Sequence, residues 1–124
     1  MKMPRADPAA VARFEALVKE APGATVRPMF GQPAAFIQGA MFLGVFGDVV
    51  FLRLAETDRA AARRIPGVGS FEPMPGRPMT EYVTLPAALL ADHAAAVDWL
   101  GRSLRYAKTV KAKPASKRSA PKRR

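Results

Sequence analysis

The sequence predicts an α+β fold, a two-layer antiparallel sheet of about five strands with helices packed on it. Three observations carry that expectation. From Arg27 to Leu54, short apolar runs (Ala34 to Gln38, Met41 to Phe46, Val49 to Leu54) are separated by Gly31, Gly39 and Gly47-Asp48, residue types that tolerate the positive φ of tight turns. Before and well after that stretch, apolar residues recur at helical spacing between cap and stop signals. The whole chain has 124 residues, enough for one core and one domain.

The first helix is bounded by Asp7-Pro8, a cap followed by proline at the first helical position, and by Pro22-Gly23. Its stripe is Val11, Phe14, Leu17 and Val18, with Arg13, Glu15 and Lys19 turned to water. In the strands that follow, strict alternation sets Met41, Leu43 and Val45 on one face and Phe42 and Phe46 on the other. It likewise opposes Val50, Leu52 and Leu54 to Val49, Phe51 and Arg53. Both faces therefore carry apolar groups and both need cover. Helices can supply one, and the returning chain or a second copy of the protein the other.

After the sheet, Thr57 can cap a short helix from Asp58 to Ile65, ended by Pro66-Gly67-Val68-Gly69. A loop passes through Gly76-Arg77-Pro78, and Met79 to Leu85 forms a further strand with Tyr82 opposed to Val83. Pro86 opens a short helix and Asp92 caps a longer one, with Val97, Leu100, Leu104 and Ala107 as its inner stripe.

The net charge of +10 is concentrated at one end. Residues 108–124 hold eight basic side chains and no acid, whereas residues 1–107 hold twelve basic and ten acidic. With Val110 as their one large aliphatic, residues 108–124 cannot bury enough surface to offset chain entropy, so a folded domain over 1–107 and a disordered basic tail over 108–124 are expected. Such a tail contacts phosphates without reading bases, which makes Lys108, Lys111, Lys113, Lys117, Arg118, Lys122, Arg123 and Arg124 the candidate nucleic-acid-binding residues. The tail has no aromatics for base stacking and no amphipathic anchor for a membrane. Its bland alternative is a solubilising extension.

Catalytic chemistry has little to work with. The chain has no cysteine, which removes disulfides, thiolate nucleophiles and thiolate metal sites. His93 is the single histidine and has the place of a half-exposed helix-start residue. The ten carboxylates are scattered. Gly67-Val68-Gly69-Ser70-Phe71-Glu72 begins like a dinucleotide fingerprint but has Glu72 at the third glycine and follows a helix. No catalytic residue, cofactor or metal is expected, and no enzyme. The N-terminal residues lack a signal-like apolar core and no run is long enough to span a bilayer, so a cytoplasmic location is expected.

Arg27 and Arg77 each precede a proline beside the sheet and form a candidate partner or anion surface. Alternatively each bonds loop carbonyls or a carboxylate such as Glu72 or Glu81.

Arg27-Pro28-Met29-Phe30-Gly31, Gly39-Ala40-Met41-Phe42, Leu52-Arg53-Leu54, Gly76-Arg77-Pro78-Met79 with Tyr82, and Trp99-Leu100 together resemble the TfoX/Sxy N-terminal domain over roughly residues 10–107. The resemblance implies that family's N-terminal-domain fold and a bacterial cytoplasmic protein linked to competence regulation, acting with the cyclic-AMP receptor protein on DNA in the best-known members. Those members carry a helical C-terminal domain where this sequence has the basic tail, so a stand-alone N-terminal domain is expected. The function expected is a non-enzymatic, DNA-associated regulatory or accessory protein. The alternative is a protein-interaction module, as a homodimer or with another partner, that does not bind nucleic acid.

Overall fold

A computed structural model describes residues 6–29, 31–72, 76 and 79–110. The chain enters through α1 (Pro8–Val18), runs through β1 (Thr25–Met29), β2 (Gln32–Ile37), β3 (Ala40–Phe46) and β4 (Val49–Arg53), and turns into α2 (Glu56–Ala62). It then forms β5 (Gly69–Ser70), β6 (Tyr82–Leu85), α3 (Ala87–Ala91) and α4 (His93–Thr109). The six strands make one antiparallel sheet in the order β1-β2-β3-β4-β6-β5. The α+β class is therefore as the sequence predicts. The additional strand is β5, two residues in the glycine-rich stretch expected to be loop, where the chain after α2 joins the far edge of β6.

The expected caps form. The Asp7 carboxylate accepts from the Ala10 amide at 3.3 Å and the Asp92 carboxylate from the Ala95 amide at 3.1 Å. α2 differs: it starts at Glu56, directly after the sheet, with Ala55 at its N-cap and no side-chain capping bond. Thr57 lies inside the helix, and Ile65 lies beyond its end, packed on the core. β6 is shorter than expected because Met79 to Tyr82 form a turn, with the Tyr82 amide donating to the Met79 carbonyl at 3.0 Å.

The helices cover one face. Ala10, Phe14 and Leu17 of α1 and Ala96, Trp99, Leu100 and Ala107 of α4 pack with Leu43, Val45, Val50, Leu52, Val83 and Leu85. Phe14, Leu17, Leu100 and Ala107 of the predicted stripes are buried in this core, whereas Val11, Val18, Val97 and Leu104 flank it half-buried, so each stripe is turned by less than one position.

Strict alternation along β3 fails, and the reason is a β-bulge. Ala35 pairs Leu43 and Phe36 pairs Met41, which leaves Phe42 as the extra residue. Phe42 consequently joins Leu43 and Val45 on the helix face, while Met41 and Phe46 belong to the opposite face. Two carbonyls at the bulge take side-chain donors. Tyr82 Oη donates to the Met41 carbonyl at 3.0 Å, and the buried Ser103 Oγ of α4 donates to the Phe42 carbonyl at 3.2 Å. Ser103→Ala is expected to cost about 1–3 kcal/mol by leaving that buried carbonyl unpaired, read as a lower urea midpoint with unchanged m-value.

On the second face, cross-strand neighbours Ala34, Gly44 and Phe51 form a row. Gly44 is needed for close approach: a Cβ there would stand 2.3 Å from Phe51 Cζ. Phe71 stacks on Phe51 at 4.1 Å between ring centroids and meets Phe46 and Tyr82 edge-on. Phe71 and Met79 bracket the returning segment, the Met79 amide donates to the Phe71 carbonyl, and both pack into this second core. Phe71 and Met79 thus give this face cover from the returning chain.

Candidate nucleic-acid interface and arginine surface

Lys108 lies within α4. α4 continues through it to Thr109, which holds Lys108, exposed, in the helix's last turn. Its position at a helix C-terminus favours a cation, because the carbonyl ends there carry partial negative charge. Lys111, Lys113, Lys117, Arg118, Lys122, Arg123 and Arg124 lie outside the described residues.

Arg27 lies on the edge strand β1, and its guanidinium sits 4.5 Å from the centroid of the Phe36 ring. Neither carboxylate suggested for it is its partner: Glu72 accepts from the Gly76 amide at 2.6 Å, and Glu81 is bound elsewhere. Arg77 lies outside the described residues, and with it the question of a shared Arg27–Arg77 surface. Tyr82 is buried, and its phenol is pushed up in pKa by that burial.

The cluster that the sequence reading missed is centred on Glu81. Arg53 Nε donates to Glu81 Oε1 at 2.7 Å with a second contact from its terminal nitrogen, and Tyr106 Oη donates to Oε2 at 2.9 Å. The Arg53 guanidinium also lies 5.5 Å from the Tyr82 ring centroid and 5.7 Å from that of Tyr106. Burial would raise the Glu81 carboxyl, but the hydrogen bonds from Arg53 and Tyr106 and the charges of Arg53 and Arg59 outweigh it and hold the group below its ordinary value. Tyr106 shifts upward through burial and the neighbouring carboxylate.

Arg59 completes this corner by donating to the Leu54 carbonyl at 2.7 Å. These bonds tie the end of β4, the start of β6 and the last turns of α4 together, which is a structural task. One signal for it was present in the sequence: Arg53 is the lone charge in the apolar strand Val49 to Leu54.

Two further charged side chains on the helix layer, Arg102 and His93, make similar ties. Arg102 of α4 donates to Asp58 of α2 at 3.0 Å and to Asp98 one turn back at 3.3 Å, with its guanidinium over Trp99. His93 Nε2 lies 3.3 Å from Glu20 Oε2, an exposed pair. Among the described residues, no group of three or more His, Cys, Asp or Glu side chains could hold a metal ion. Among them too, no helix is long and apolar enough to cross a membrane.

Residues 15–107 match the TfoX N-terminal domain family. No curated protein matches the chain.

Proposed function

The chain belongs to the TfoX N-terminal domain family, and from that premise we propose that it acts as a non-enzymatic, DNA-associated regulatory or accessory protein. In this reading the C-terminal basic stretch holds it on nucleic acid without regard to sequence. The observation that carries the reading is the charge distribution: eight basic side chains and no acid in residues 108–124, against a near balance in 1–107. A polycation of that kind gains affinity by releasing counterions from the phosphate backbone, a mechanism blind to the bases. Burial of Tyr82 and commitment of Glu81 to Arg53 and Tyr106 support the non-enzymatic part, because those polar groups serve the fold.

The test is duplex DNA binding across a salt series. The full chain is compared with a full-length variant in which Lys111, Lys113, Lys117, Arg118, Lys122, Arg123 and Arg124 are all glutamine. The full chain is expected to bind with a log-affinity against log-salt slope approaching about −7 if all eight charges meet phosphate. The variant is expected to lose most of that slope. A full chain that fails to bind duplex at low salt overturns the DNA reading and leaves a protein partner as the route by which this domain acts.

A further inference from the structure

The prolines of the first hairpin determine what β1 presents at the sheet edge. β1 pairs only with β2, and in that register Pro28 stands opposite Pro33. Neither has an N–H, so this pair cannot exchange hydrogen bonds, and the ladder bonds fall on the alternate pairs Thr25–Phe36, Arg27–Ala34 and Met29–Gln32. Val26, opposite Ala35, therefore makes no ladder bond, and its N–H and C=O both point away from β2 to the open side of the sheet. Neither group has a hydrogen-bond partner among the described residues. The same residue is, at 48%, the one exposed large hydrophobic side chain among them.

We propose that β1 is a self-pairing edge, through which two copies of the chain join antiparallel about a twofold axis at Val26. Each Val26 N–H donates to the carbonyl of the partner's Val26, and the two β-branched side chains, opposed on one face, cover each other. Neighbouring antiparallel registers do worse. One opposes Val26 to the partner's Pro28, which has no N–H for the Val26 carbonyl. The other opposes it to the partner's Ala24, and the Ala24 amide already donates to the Ala21 carbonyl at 3.2 Å. Val26 against Val26 satisfies both outward groups, which makes a second copy the occupant this edge fits.

Arg27 and Pro28 are residue types that blunt a sheet edge. Here the Arg27 guanidinium is drawn back over the Phe36 ring, on the face opposite the valines, and Pro28 sets where the new ladder stops. The ladder is short, so the association is weak and reversible. The competing account is that the edge is fully blunted and Val26 stays in water in a monomer.

The experiment is sedimentation equilibrium of the full-length chain from micromolar to millimolar concentration, in salt that screens its net charge of +10. The mass is expected to rise with concentration from 13.4 kDa toward twice that value, and hydrogen exchange of the Val26 amide to slow in step. Val26→Pro removes the outward N–H at a position that bears no β1–β2 bond, and Val26→Lys sets two like charges opposite each other. Both variants are expected to stay at the monomer mass, whereas Ala16→Lys, which adds the same charge at an exposed position of α1, associates like the parent. A parent chain that remains monomeric throughout overturns the proposal. So does association that leaves Val26 exchange unchanged, or that persists in the folded Val26 variants. Because the exchange measurement uses the unsubstituted chain, it stands even where a variant fails to fold. None of these outcomes bears on DNA binding, which the duplex salt series tests separately.

Discussion

Phe71→Ala is expected to destabilise the domain by about 3–5 kcal/mol, the range for truncating a fully buried phenylalanine. Phe71 is 2% exposed and is the ring through which the returning segment closes the second face of the sheet. Its loss removes the stacked contact with Phe51 and the edge contacts with Phe46 and Tyr82, and it leaves a void against the Phe51 ring. The thermal midpoint should fall by at least about 10 °C in a domain of this size. A loss below about 1 kcal/mol by urea denaturation would show that the second core contributes little and that the helix-covered face alone maintains the fold.

Gly44→Val tests the same core from the opposite side, by overfilling. The Phe51 ring lies over the glycine with Cζ, Cε2 and Cε1 at 2.3, 2.8 and 3.0 Å from an ideal Cβ, and Phe71 stacks on that ring, so Phe51 has no free direction in which to move away. A β-branched residue suits a strand by propensity, yet here it is expected to cost about 1–3 kcal/mol or more through displaced rings. Because both substitutions act on one stack, the combination Gly44→Val/Phe71→Ala should cost less than the sum of the two: removing Phe71 frees the space into which Phe51 can shift. Additive losses in a double-mutant cycle, or a Gly44→Val protein as stable as the parent, would contradict this packing account.

Much of the architecture is legible in the residues because it is set locally. Asp7-Pro8 and Asp92 cap helices through bonds to amides three residues on, and Gly47-Asp48 joins two strands within a two-residue turn. Alternation along β4 also holds, with Val50, Leu52 and Leu54 against the helices and Phe51 on the second face. Alternation along β3 fails because a bulge depends on how the neighbouring strand registers, and neither Phe42 nor Met41 announces it. Ser103 illustrates the same limit: a small polar residue on a helix has no visible reason to be buried until the Phe42 carbonyl is found beneath it.

The candidate site divides along the same line. Composition alone locates the basic stretch and leaves the rest of the chain nearly neutral, because charge counts need no geometry. The partners of individual arginines do need it. Arg27 and Arg53 both occur in strands, yet one lies on an aromatic ring at the sheet edge and the other is bound by Glu81, Tyr82 and Tyr106, residues distant in sequence that β4–β6 pairing and the end of α4 bring to it. The capped helices α1 and α4, the run of strands β1 to β4, the two apolar faces and the location of excess charge were thus determined by the sequence itself, through short-range sterics and side-chain period. Which chain segment closes the second face, where β3 shifts register and which cations stay unpaired were decided only by the tertiary structure, because each depends on contacts between residues tens of positions apart.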